Sequence, residues 1–127
     1  VGFSFDVVIA CVPFAGETEG HFFLFMDYST ALAVASAMYK ERLWEFDDLV
    51  KAAIAELANL IFANGVTKMH EGGYKFDLST PFLIAGTNVN VGPLSGSVCN
   101  EETFITELDT EAGSVWVGMR GRSRSLA

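Results

Sequence analysis

The chain has 127 residues, of which 50% are hydrophobic and eleven are Phe, and it carries a formal charge of −8. That length fits one domain with one core, and the apolar content excludes disorder over most of it. The charge argues against a nucleic-acid partner, because neutralising phosphates takes a basic patch and the few Lys and Arg are scattered. Arg120, Arg122 and Arg124 do cluster, but residues 120–127 read as a flexible Gly/Ser tail. No run of about eighteen apolar residues occurs, and the first residues lack the basic start of a signal peptide. The reading is a soluble cytoplasmic chain with no membrane segment. Cys11 and Cys99 make neither a CxxC nor a metal-ligand spacing and read as buried thiols of a reducing compartment. His21 and His70 stand far apart with no Cys or His nearby, so this chain alone is not expected to build a metal site.

Gly2 to Val12 alternates, with Phe3, Phe5, Val7, Ile9 and Cys11 on one side, and predicts a strand. Val1 already stands in that pattern, which leaves open native residues ahead of it. With one charge and no Lys the strand would be a hazardous free edge, so it is expected to be paired on both sides, within the fold or with a second copy of the chain. Pro13 to Gly20 reads as a turn and His21 to Met26 as the returning strand of a hairpin, with His21 structural. Ser29 fits an N-cap for a short helix over Ala31 to Tyr39, with Leu32, Ala35, Met38 and Tyr39 along its buried side. In the charged connection that follows, Trp44 is expected to cover the end of the core.

The longest segment that can be helical throughout is Asp47 to Glu71, begun by Asp47 or Asp48. Asn64-Gly65 and Gly72-Gly73 are competing stops. The later one is preferred because Val66, Met69 and His70 continue the helical spacing, which leaves Gly65 inside the helix at a cost of about 1 kcal/mol relative to Ala. At about 100° per residue, Val50, Ile54, Leu57 and Ile61 fall within roughly 40° of one line and form the expected buried stripe. Glu56 and Asn59 then project from the opposite face, one turn apart, among the small residues Ala52, Ala55 and Ala63. Taken alone, an exposed Glu and Asn at that spacing is ordinary solvated surface.

Tyr74 to Leu78 reads as a short extended piece or a loop, Ser79-Thr80-Pro81 punctuates it, and Phe82 to Ala85 predicts a strand. Gly86 to Gly96 is rich in Gly, Asn and Pro, with Val89 and Val91 as its apolar residues. Thr103 to Leu108 and Ser114 to Met119 alternate and predict a second hairpin around a five-residue turn, Asp109 to Gly113. Strands, two helices and strands again give an α+β domain: an antiparallel sheet with two main helices packed on one face. The chain holds no P-loop, GxGxxG, GxSxG or HExxH.

The segments AELANLIFANG and GYKFDLSTPFLIAG, with GHFFLFMD and ALAVASAMY upstream, resemble CheX of the CheC/CheX/FliY group of chemotaxis phosphatases. The signature of that group is Glu, two residues, Asn and a Pro about twenty residues on; here these are Glu56, Asn59 and Pro81. The short helix carries no second ExxN, so the resemblance implies one site in a single CheX-like domain over 1–127 with the CheC/CheX-like fold. The group often has Asp or Ser four residues before the Glu, where this chain has Ala52.

The resemblance implies an aspartyl-phosphate phosphatase whose partner is a phosphorylated CheY-like receiver. Asn59 would position the attacking water and Glu56 would anchor the receiver's active-site Lys. No cofactor would be bound by this chain, since Mg2+ is supplied by the partner receiver domain. The resemblance also implies a homodimer. Two other readings stay open: a CheX-like module that binds without hydrolysing, and a structural module of the flagellar-switch type.

Overall fold

A computed structural model of the chain describes residues 6–87 and 101–123. Phe3, Phe5, Val89, Val91, Cys99 and Arg124 lie outside the described residues. The elements run β1 (Asp6–Gly16), β2 (Thr18–Asp27), α1 (Tyr28–Tyr39), α2 (Asp48–Glu71), β3 (Phe76–Leu78), β4 (Phe82–Thr87), β5 (Glu101–Thr110) and β6 (Gly113–Ser123). All strand pairs are antiparallel, in the order β3–β1–β2–β6–β5, with β4 continuing on the β3 side of β1. The architecture is the expected α+β one, with both helices on one face of the sheet.

β1 is the centre of the sheet. The partners it needs on both sides come from within the fold, β2 on one side and β3 with β4 on the other. Val7 to Val12 are all buried, those facing the helices and those on the opposite face alike. Val8, Ala10, Val12, Phe14, Phe22, Leu24 and Met26 face the helices, whereas Val7, Ile9 and Phe25 form a second cluster with Phe23, Ile105 and Trp116. Pro13, expected in a turn, lies in β1 opposite His21, and the connection to β2 shrinks to Glu17.

Asp27, rather than Ser29, caps α1, its carboxylate accepting from the Thr30 N–H at 2.7 Å. The helix buries Thr30, Ala31 and Ala35. Met38 and Tyr39, placed on its buried side by periodicity, are 38% and 40% exposed, since the helix ends there in the left-handed Lys40. Trp44 is 72% exposed and stacks under the Arg42 guanidinium at 4.4 Å instead of closing the core.

Asp47 caps α2 by accepting from the Leu49 and Val50 N–H groups, and the helix passes through Gly65 to Glu71, as the later stop signal predicts. Its buried row differs from the expected stripe. Val50, Ile54, Ala58, Phe62 and Val66 are buried with Ala53, while Leu57 is half-buried and Ile61 38% exposed. That row advances by four residues each time, so it is inclined by roughly 26° to the helix axis, as a helix crossing twisted strands requires. Rings fix the crossing: Phe62 stacks on Phe22 at 4.9 Å, Phe22 meets Phe14 at 4.6 Å, and Phe14 meets Phe76 at 5.4 Å. By length and composition alone α2 could cross a membrane, but its apolar row lies on the sheet.

The second hairpin turns more tightly than expected, on Glu111 and Ala112. The Thr110 hydroxyl accepts from both the Ala112 and Gly113 N–H groups and donates to the Gly113 carbonyl. Gly113 has φ +136, and a side chain there would run into Thr30 of α1. β6 continues to Ser123, so residues 120–123, expected in a flexible tail, belong to the sheet: Arg120 pairs His21 and Thr103, and Arg122 pairs Glu19 and Glu101.

Candidate active site

The site begins with a fault in the edge of the sheet. Leu78 aligns with Phe14 and Phe82 with Cys11, so three residues, Ser79, Thr80 and Pro81, stand opposite two, Val12 and Pro13. One extra residue in one strand is a β-bulge, which breaks the ladder and bends the strand outward. Proline is tolerated at such a place because no ladder N–H is demanded of it. The Ser79 N–H donates to the Pro13 carbonyl at 2.9 Å and closes the bulge. The extra residue also switches faces. Phe76 and Leu78 point to the helix layer, whereas Phe82 and Ile84 align with Cys11 and Ile9 on the opposite side.

α2 runs beside this bulge. Ala55, Glu56 and Asn59 on the helix and Leu78, Ser79, Thr80 and Pro81 on the strand line an open groove of about 540 Å³. Glu56 and Asn59 are both exposed, one helical turn apart, which places their Cβ atoms about 5–6 Å from each other. Among the described residues no hydrogen bond engages either side chain. Ala52 is exposed and Ala55 half-buried, so no long side chain screens the helix backbone on this side. A free carboxylate and a free amide thus face outward beside a rim that contains Pro81. The carboxylate can pair with a cation, and the amide can accept from or donate to a water.

The structure therefore brings Glu56, Asn59 and Pro81 together. Sequence reasoning missed Leu78, Ser79 and Thr80 as the remainder of the rim; the punctuating Ser-Thr-Pro was the available signal, and it needed Pro13 as its counterpart. His21 stacks on Phe23 at 6.1 Å, on the far side of the sheet from α2. Cys11 is a buried free thiol, and burial pushes it up to about 11. Among the described residues no three of His, Cys, Asp and Glu gather as a metal site would require.

Fold and groove together define a class: a sheet with two helices on one face, the longer of which presents an acid and an amide beside an edge-strand bulge. The family model for the chemotaxis phosphatase CheX matches residues 8–101, and the chain belongs to that family. No curated protein matches it. Among solved structures, the CheX–CheY–BeF3–Mg2+ complex from Borrelia burgdorferi contains a chain 31% identical, with a TM-score of 0.77, over 91% of this chain and 76% of that one. Chemotaxis protein CheX from Vibrio vulnificus is 20% identical with a TM-score of 0.79, over 91% and 75%. A CheC-like superfamily protein from Shewanella sp. PV-4 is 18% identical with a TM-score of 0.81, over 97% and 76%.

Proposed function

We propose that this protein accelerates hydrolysis of the acyl phosphate on a CheY-like receiver, using Glu56 and Asn59. The observation that carries the reading is the groove in which both side chains stand free beside the Ser79–Pro81 bulge. An acyl phosphate is already labile, and its transition state is loose, so little proton abstraction is needed and positioning the water is most of the task. The water oxygen bonds to phosphorus, the bond from phosphorus to the Asp oxygen breaks, and the products are inorganic phosphate and the free carboxylate. The Asn59 amide oxygen accepts a hydrogen bond from that water and holds it in line, without itself titrating. Glu56 pairs with the receiver's active-site Lys and sets the register of α2 against the phosphorylated loop. Mg2+ neutralises charge on the phosphoryl oxygens from within the receiver; the Borrelia complex pairs CheX with CheY, BeF3 and Mg2+. With a receiver as its substrate, the protein would act in the cytoplasm.

Loss of phosphate from a phosphorylated receiver, with and without the protein, tests this reading. Acceleration is expected, and Glu56→Ala should raise the half-saturating receiver concentration by roughly ten-fold, the worth of a charge-assisted hydrogen bond. A Glu56→Ala variant with unchanged saturation would remove the anchor role. Absence of any acceleration would favour a module that binds without hydrolysing.

We infer, too, that the chain forms a homodimer. The support is apolar surface at both edges of the sheet: Phe104 and Leu108 on β5 are 58% and 47% exposed, and Phe82 and Ile84 on β4 are 46% and 47% exposed.

A further inference from the structure

We propose that His70 is a positioning residue for the groove: its ring clamps β3 to the last turn of α2 and thereby fixes where the bulge stands opposite Glu56 and Asn59. This inference rests on the phosphatase reading of that groove.

The connection from α2 to β3 is fastened step by step. Gly72 N–H donates to the Lys68 and Met69 carbonyls, Gly73 N–H to His70, and Tyr74 N–H to Met69 at 2.9 Å. Gly73 turns the chain with φ +95, which glycine adopts without strain. From Lys75 onward these backbone bonds stop, and the His70 side chain takes over. Its Nε2 lies 3.1 Å from the Phe76 nitrogen and 3.0 Å from the Phe76 carbonyl oxygen.

β3 is an edge strand of three residues, and an edge strand leaves half its backbone groups without a neighbouring strand. At Phe76 the imidazole occupies the place that a further strand would fill. One nitrogen cannot serve both groups at once. With the ring proton on Nδ1, Nε2 accepts from the Phe76 N–H; with a proton on Nε2, it donates to the Phe76 carbonyl. The link between helix and strand survives in either case.

What the clamp holds is the rim. The bulge begins at Ser79, directly after Leu78, the end of β3, and the Ser79 N–H ties that near end to Pro13. Phe76 is locked from within by its edge-on contact with Phe14 and from without by His70. Without the imidazole, the distance between the rim and α2 would rest on the short β1–β3 ladder, the core packing of Phe76 and Leu78 and the Ser79–Pro13 bond, none of which joins β3 to the last turn of α2 by a hydrogen bond. The consequence falls on docking, because the rim forms the wall of the groove that faces Glu56 and Asn59, while the water-positioning amide stays on the helix.

The test is dephosphorylation of a receiver by His70→Ala and His70→Gln, with amide hydrogen exchange of residues 76–80 measured on the same proteins. Glutamine is the informative replacement, because its amide can accept from the Phe76 N–H and donate to the Phe76 carbonyl together. His70→Ala should raise KM roughly three- to ten-fold, the worth of about one hydrogen bond, leave kcat largely unchanged, and speed exchange over 76–80. His70→Gln should restore both. An unchanged KM in His70→Ala, or a Gln variant as impaired as the Ala one, overturns the proposal, as does unchanged exchange over 76–80. A wild-type protein that accelerates no receiver's dephosphorylation sinks the phosphatase reading itself, and with it any role of His70 in that site, even where exchange shows the clamp to be real.

Discussion

Glu56 and Asn59 are surface residues of a kind that most helices carry, and neither is set apart by burial. What distinguishes them is their surroundings: small residues on the same side of the helix and a proline-containing rim across the groove. That explains how far the site could be read from the chain. Helical periodicity places both side chains outward on one side, and the structure agrees. The rim was legible only as punctuation, because a bulge is a miscount between two strands and cannot be counted until their register is known. Cys11 shows a residue-scale effect of a different kind. Its thiol is held neutral by burial, with its value raised from 9.0 to about 11. The folded state therefore binds that proton more tightly than the unfolded chain does. The stabilisation is complete below pH 9 and is lost as pH rises toward 11. Urea midpoints of the wild type and Cys11→Ala from pH 8 to 11 should show a stability gap that narrows above pH 9; a constant gap would contradict this.

At the scale of elements, α2 was the most legible part of the chain and also the place of the clearest error. Its start, its passage through Gly65 and its end follow from caps and stop signals, which are local. Its buried row does not, because a straight stripe assumes a helix lying along flat neighbours, whereas this one crosses a twisted sheet on its i, i+4 ridge. Phe62 and Val66 consequently replace Ile61 in the core. The same limit affects α1, where periodicity buries Met38 and Tyr39 but the helix has reached its left-handed cap. Gly65 yields a prediction at this scale. A methyl group there would meet nothing within 4 Å, so Gly65→Ala should add about 1 kcal/mol of stability with receiver dephosphorylation unchanged. Loss of stability in that variant, measured by urea unfolding, would mean that the helix needs its glycine.

In the molecule as a whole, each strand has its place by pairing or by exposed edge. β1 finds partners on both sides within the chain, one of the two arrangements expected for it, so it calls for no second copy; the edges β5 and β4 carry the apolar surface instead. Sedimentation should give twice the chain mass at micromolar concentration, and Phe104→Glu should shift it toward the monomer if the β5 edge is the one used. A monomeric wild type would remove the dimer. Neither depends on the groove, whose lining comes from α2, β3 and the bulge, held by the phenylalanine rings between them.

The central claim is that the Asn59 amide positions water while the rest of the groove binds. It is tested most directly by measuring, for Asn59→Ala beside the wild type, both affinity for a BeF3-loaded receiver and the rate of phosphate loss from the phosphorylated one. The expected result is affinity within about two-fold of wild type, under half a kcal/mol, with the acceleration abolished. An Asn59→Ala protein that still accelerates hydrolysis, or one that has lost its affinity for the receiver, would contradict it.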